Sequence, residues 1–314
     1  MGGGIGKIEM IKMTNILVLV GGGKNPRFPL NQIIIWDDSN NKILRVIRLN
    51  SIVLNIKAKM DRIIGVCEKK IFIFNIHTLR VLDMYNTFEN SNGIVGFSTG
   101  DFASVLAFPF ESKGKVKVVN SNSTSQLPVI QAHESKIACL SVSQNGSLLA
   151  TASDKGTLIR VYNVIGGQLL TEVRRGSTSA EIKCIVFDEL NRYVGCASGM
   201  GTIHLFSIVS AMKNLSENYY SKNEVEEEPK NRKSFFKKFN IFEKINNSYL
   251  NSEWAFARFR INEHNSIFTF LDDNKICVLT SDGKYYIASF DPKSEGECNK
   301  LKEKYIYNIN KNNK

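Results

Sequence analysis

Six positions of this chain recur at one fixed offset, and that recurrence limits its fold more than any other feature. Ile137, Cys139, Ala152, Ser153, Gly156 and Thr157 reappear as Ile182, Cys184, Ala197, Ser198, Gly201 and Thr202, each pair 45 residues apart. Each copy reads as a strand, a turn, a strand ending Ala-Ser, a tight turn, a strand after Gly-Thr, and a fourth strand. Units of about 40–45 residues with four strands apiece are the mark of WD40-type propeller blades, which bury their faces by stacking on one another. Elsewhere, runs such as Ile16-Leu17-Val18-Leu19-Val20, Ile33-Ile34-Ile35-Trp36 and Ile71-Phe72-Ile73-Phe74 are too short for helices and are bounded by turn residues. Weaker copies of the unit fall around 5–50, 51–88, 92–130 and 254–291. The expected class is therefore all-β, a single propeller domain over residues 1–314 with about six blades.

Composition narrows the functions without choosing one. The chain carries 41 Lys and Arg against 30 Asp and Glu, a net charge of +11. Such an excess gathers anionic partners, whether nucleic acid, acidic protein or anionic lipid. No recognised nucleic-acid module is present, so nucleic acid is not the expected partner. The six cysteines (Cys67, Cys139, Cys184, Cys196, Cys277, Cys298) are scattered, with no Cys-x-x-Cys. That spacing suits reduced thiols better than a zinc site or a disulfide scaffold, and neither metal nor cofactor is expected. No apolar run approaches the roughly 20 residues that span a bilayer. Four histidines, no nucleophile among clustered carboxylates and no phosphate-loop glycine motif leave no catalytic constellation, so an enzyme is not expected.

The chemistry concentrates between the two best repeats, at Val173-Arg174-Arg175-Gly176-Ser177. Adjacent side chains on an extended segment point to opposite sides, so the two arginines can serve two pockets, one per flanking blade. Each guanidinium is a planar fork suited to bidentate phosphate binding, and Gly176 would permit a sharp turn after them. The repeat sets Ser153 and Thr157 before the pair and Ser198 and Thr202 after it, with His133 and His204 close by. Hydroxyls both donate to and accept from phosphate and inositol oxygens. Taken singly, each of these residues is more often structural: surface arginines are solvated, Ser and Thr beside Gly form turns, and propeller histidines bond neighbouring loops.

One stretch breaks the strand pattern. Residues 211–253 are crowded with charge, including Glu226-Glu227-Glu228-Pro229, and read as a long insertion within the fifth unit. Within Lys230 to Ile245, Phe235, Phe236, Phe239, Ile241, Phe242 and Ile245 mostly follow a helical stripe. Lys230, Arg232, Lys233, Lys237, Lys238 and Lys244 surround that stripe with positive charge. A basic amphipathic stretch marks an interfacial membrane anchor, here through Phe235, Phe236, Phe239 and Phe242. It also suits a helix for a partner's groove, or an edge strand packed on its own blade.

Several segments together closely resemble the PROPPIN family, which includes the WIPI proteins of autophagy. They are Ala132-His133-Glu134, Leu149 through Val161, Arg174-Arg175-Gly176-Ser177 and Gly201-Thr202-Ile203-His204-Leu205-Phe206. Val20-Gly21-Gly22-Gly23-Lys24-Asn25-Pro26, Ile35-Trp36-Asp37-Asp38, Trp254-Ala255-Phe256-Ala257-Arg258-Phe259 and Asp282-Gly283-Lys284-Tyr285-Tyr286 extend the resemblance over nearly the whole chain outside the insertion. These look most like the branch of the third and fourth WIPI proteins. The resemblance implies a seven-bladed propeller that binds phosphatidylinositol 3-phosphate and the 3,5-bisphosphate, one site on each side of the Arg-Arg-Gly motif. Carried over, Arg174 would serve the site with His133, Ser153 and Thr157, and Arg175 the site with Ser198, Thr202 and His204. It further implies a monomer at the phagophore, endosomal or vacuolar membrane, an autophagy lipid-transfer protein as partner, and bilayer insertion by a loop of the blade that holds the insertion. Val173 stands where the family motif has Phe or Leu, a conservative change. A complete first blade precedes, in the family, the segment matching Gly3 to Met10, so the expectation here is either a shortened chain, the favoured reading, or a ring that closes with six blades. The competing reading is a WD40 scaffold whose basic face binds acidic proteins and whose arginines have no lipid role.

Overall fold

The computed structural model describes residues 3–101, 103–122, 126–213, 231–233 and 253–306. Among them lie six successive antiparallel sheets, most built as a four-strand meander. The first sheet runs from Ile5–Met10 to Lys42–Arg48, the second from Asn55–Ala58 to Val81–Asn86, and the third from Gly96–Phe97 to Val129–Gln131. The fourth holds Ile137–Val142, Leu148–Ser153, Leu158–Asn163 and Leu169–Arg174. The fifth holds Ile182–Phe187, Tyr193–Ser198, Thr202–Ser207 and Ala257–Arg260, and the sixth runs from Ser266–Leu271 to Asn299–Tyr305. The only described helix is one turn, Val209–Lys213.

Each sheet packs face to face on the next, as blades of a β-propeller do. Five buried apolar clusters fill the five interfaces between consecutive sheets. Between the fourth and fifth, Ala150, Ala152, Ile159, Val161 and Val173 meet Ile185, Val194, Cys196 and Phe206. Strand alternation explains how this works: even-numbered residues of Leu148–Ser153 face the fifth sheet, while Leu149 faces the third. A side chain buried this way contributes about 1.5–3 kcal/mol.

The repeat read from the sequence is reproduced down to its irregularities. Ile137 pairs with Ser153 and Cys139 with Ala152 across a register shift. The identical pairing and shift join Ile182 to Ser198 and Cys184 to Ala197. The sixth unit, by contrast, is displaced from the expected window of 254–291. Ala257–Arg260 pairs with Thr202–Ser207 and completes the fifth sheet, and the sixth begins only at Ser266. An insertion between the third and fourth strands of one blade carries the fourth strand far down the chain, where it resembles the start of a new unit.

Gly156 shows why the repeated Gly-Thr is needed. It sits at φ +60°, and a Cβ there would lie 1.8 Å from the Ala180 carbonyl oxygen. Gly156→Ala is expected to cost about 1–3 kcal/mol and to lower the melting temperature by several degrees. Gly176→Ala should change it little, because nothing lies within 4 Å of a Cβ built at Gly176 and its φ is not left-handed. Thermal melts of the two variants make the comparison. Gly176 thus takes no left-handed conformation after the arginine pair; the left-handed glycines of these two blades are Gly156 and, at φ +72°, Gly201, each in the turn between its second and third strands.

Candidate functional site

Alternation divides the arginine pair as expected. Val173 faces the fifth sheet, so Arg175 lies on that side, and Arg174 lies on the face turned to the third. Both are buried, at 9 % and 6 % exposure. On the Arg174 side stand Thr151, Ser153, Arg160 and Glu172. His133 joins them, its Nε2 2.9 Å from Thr151 Oγ1. Arg160 donates to Glu172 at 2.7 Å and to the Ala132 carbonyl at 2.6 Å. Thr157 is half-buried in the turn, and its carbonyl accepts the Arg175 backbone N–H at 2.9 Å.

Arg175 is held differently. Its Nε donates to the Gly156 carbonyl at 2.9 Å and its Nη2 to the Thr178 carbonyl. These bonds seat the guanidinium between the fourth and fifth sheets, where burial lowers its pKa. The opposite wall is the face of the fifth sheet that carries Ser198, Thr202 and His204. Ser198 is fully buried and donates to the Thr202 carbonyl at 3.2 Å. The structure therefore sorts the eight residues onto two sides of the arginine strand, each a candidate groove: His133 and Ser153 with Arg174, and Ser198, Thr202 and His204 with Arg175, with Thr157 between them.

Burial sets the charge state of both histidines. Desolvation brings His133 down to about 4, helped by Arg160, and His204 down to about 3, helped by Arg175, Arg258 and Arg260. Both are neutral at pH 7. Because the folded values lie below the ordinary 6.5, the unfolded chain takes up protons between about pH 6.5 and 4 that the folded chain refuses. The stability this contributes is complete above that window and is lost as pH falls through it, by up to roughly 2 kcal/mol per histidine at pH 5. A melting temperature lower at pH 5 than at pH 7, with a flatter slope in His204→Gln, is the expected result. A flat wild-type profile would show that burial does not govern these rings.

Reading the sequence missed Thr151, Arg160 and Glu172 in the first groove and Arg258 and Arg260 in the second. The last two were detectable: Ala257-Arg258-Phe259-Arg260 alternates apolar and basic residues with period two. Ala257 and Phe259 pack toward the sixth sheet, so both arginines take the face shared with His204 and Thr202. Phe235, Phe236, Phe239 and Phe242 lie outside the described residues. Arg232 and Lys233, expected to flank a helical stripe, form a short strand paired with Glu253–Trp254, which in turn runs parallel to Val173 and Arg174. The C-terminal end of the insertion, Glu253–Trp254, is thus tied directly to the strand that carries the arginines, and Arg232–Lys233 is tied to it through that end. No described helix is long and apolar enough to cross a membrane, and no described group of His, Cys, Asp and Glu could hold a metal ion.

Comparison with known proteins agrees with this architecture. The family model for PROPPIN matches residues 13–307. Autophagy-related protein 18e of Arabidopsis thaliana is 30 % identical over 304 residues, covering 96 % of this chain and 76 % of that protein. SVP1-like protein 2 of Pichia angusta is 33 % identical over 214 residues, covering 67 % and 59 % respectively. Among solved structures, Hsv2 of Kluyveromyces lactis superposes with a TM-score of 0.73 at 18 % identity, covering 96 % of this chain and 87 % of that one. KlAtg21, solved in complex with the coiled coil of AgAtg16, superposes with a TM-score of 0.74 at 22 % identity over 95 % of this chain and 84 % of that one.

Proposed function

Because this chain belongs to the PROPPIN family, we propose that it is a membrane-recognition propeller that binds 3-phosphorylated phosphoinositides through two grooves, one on each side of Arg174-Arg175. The observation that carries the reading is the sorting of the pair. Consecutive buried arginines enter different grooves, and each groove is walled by the hydroxyls and histidine of its own blade. A buried guanidinium beside hydroxyls and a neutral imidazole offers donors to phosphate and both donors and acceptors to a polyol. Binding, not transformation, is the task this chemistry suits.

Several features of the wider reading follow from that premise. Autophagy is the proposed setting, since relatives carry that name and KlAtg21 has been solved with an Atg16 coiled coil. The partners proposed for this chain are a 3-phosphoinositide membrane and autophagy machinery such as a lipid-transfer protein, with the chain acting as a monomer peripheral to the phagophore, an endosome or a vacuole. Sedimentation with vesicles containing phosphatidylinositol 3-phosphate, against vesicles containing the 4-phosphate and against DNA, tests the assignment. Equal retention on all three would reduce the protein to a basic surface and favour the scaffold reading.

A further inference from the structure

The strand that closes the fifth sheet is shorter than the strand it covers. Ala257–Arg260 pairs with Thr202 to Leu205 and stops, so Ser207, two residues further on and buried, has no strand neighbour on that side among the described residues. One side chain takes that place. Asn231 Oδ1 accepts the Ser207 N–H at 2.8 Å, and Asn231 Nδ2 donates to the Ser207 carbonyl at 2.7 Å. The same Nδ2 donates to Glu253 Oε2 at 2.9 Å. A primary amide offers an acceptor oxygen and two N–H donors, and this one uses all of them to imitate a strand and hold a second one.

Asn231 thereby joins the end of Thr202–Ser207, just before the insertion leaves the fifth sheet, to Glu253, where the insertion returns. Arg232–Lys233 pairs with Glu253–Trp254 immediately beyond it, and Glu253–Trp254 lies along the arginine strand. The result is a clasp, and it divides the insertion by charge. Residues 214–230, before the clasp, hold five glutamates and two lysines, a net charge of −3. Residues 234–252, inside it, hold three lysines and one glutamate, a net charge of +2, together with Phe235, Phe236, Phe239 and Phe242. Opposite charges brought within reach of one another attract, and lysines already paired add little attraction to an anionic leaflet.

We infer that Asn231 is a positioning residue for membrane binding: its amide closes the basic, aromatic stretch into a loop of its own beside the arginine strand and keeps the acidic stretch out of that loop. The inference rests on the membrane-recognition reading above. Closure roughly halves the span between fixed points, from residues 214–254 to residues 234–252. Effective concentration at a second contact falls as about the −3/2 power of tether length, so opening the clasp costs about threefold in vesicle binding before any charge pairing is counted. The ion pair of Arg232 with Glu295, at 3.2 Å, is exposed on both sides and adds little to the clasp.

The test sets wild type beside Asn231→Ala in two assays, read with melting curves. One is sedimentation with vesicles of phosphatidylcholine, phosphatidylserine and phosphatidylinositol 3-phosphate; the other is calorimetry with the soluble short-chain 3-phosphate lipid. Asn231→Ala should lose about threefold or more on vesicles and keep its soluble affinity. Should that variant fold poorly, Asn231→Asp carries the same comparison, because it still accepts the Ser207 N–H but repels Glu253. A cross-link between directly paired positions, Lys233→Cys with Glu253→Cys, closes the loop without the amide. In the Asn231→Ala background it should restore vesicle binding when oxidised and lose it again on reduction. Glu226→Gln, Glu227→Gln and Glu228→Gln together should raise vesicle binding more in Asn231→Ala than in wild type. Full vesicle binding by Asn231→Ala, equal loss of vesicle and soluble affinity, or no recovery on cross-linking overturns the inference and leaves the phosphoinositide reading standing. Failure of the wild type to bind either form of the lipid overturns that reading itself.

Discussion

Replacing Arg174 and Arg175 together with threonine should remove nearly all binding to vesicles that carry 3-phosphorylated phosphoinositides. Each single replacement should weaken it. A hydrogen bond to a charged group contributes roughly 1.5–3 kcal/mol net, so each arginine accounts for about ten- to a hundredfold at its own groove. Two grooves engaging one membrane gain avidity of about a hundredfold or more, and that gain disappears with the loss of either. The structure adds a cost peculiar to Arg175. Its bonds to the Gly156 and Thr178 carbonyls hold the turn, so Arg175→Thr should also destabilise the protein by about 1–3 kcal/mol. Vesicle sedimentation must therefore be read beside a melting curve, and Arg175→Lys, which keeps the charge but not the fork, separates the two effects. A folded double variant that sediments like the wild type ends the two-groove reading.

What could be read before the structure was known depended on how local the cause is. The repeat carried the fold because blade geometry is written in residues close in sequence: the glycine of each turn, the small residues of each central strand, the hydroxyl that follows. Even the register shift at Ile137/Cys139 and its copy at Ile182/Cys184 came with that pattern. The division of Arg174 from Arg175 was legible for the same reason, since alternation along a strand needs no tertiary information. The misplacement of the sixth unit arose where locality failed. Ala257–Arg260 pairs with Thr202–Ser207 across the whole insertion, and nothing local announces a partner so distant. Arg258 was overlooked through that same gap: its neighbour His204 is 54 positions away in sequence and directly opposite in the sheet. Charge compensation was equally hidden. That Arg160 is consumed by Glu172 whereas Arg258 is not depends on which side chains share a face.

The insertion should decide how long the protein stays on a membrane. Changing Phe235, Phe236, Phe239 and Phe242 to serine is expected to reduce vesicle binding sharply while leaving affinity for a soluble short-chain phosphoinositide unchanged. Arg232–Lys233 and Glu253–Trp254 are tied to the strand that presents Arg174, so the intervening residues depart from beside the proposed head-group grooves. Head-group contacts through arginines weaken as salt screens them, with a screening length near 8–10 Å at physiological ionic strength. Apolar burial is not screened. Each phenylalanine removed from water contributes roughly 1.5–3 kcal/mol, and each basic residue near an anionic leaflet adds about 1 kcal/mol. Two of the four rings entering the acyl boundary would therefore outweigh the loss of several exposed ion pairs, which are worth at most about 1 kcal/mol each. The serine variant should accordingly bind vesicles more weakly and with a steeper dependence on salt. Were it to hold vesicles as tightly as wild type at every ionic strength, the segment would not be an anchor. A helix docking into a partner's groove would then be the better account of its basic and aromatic residues.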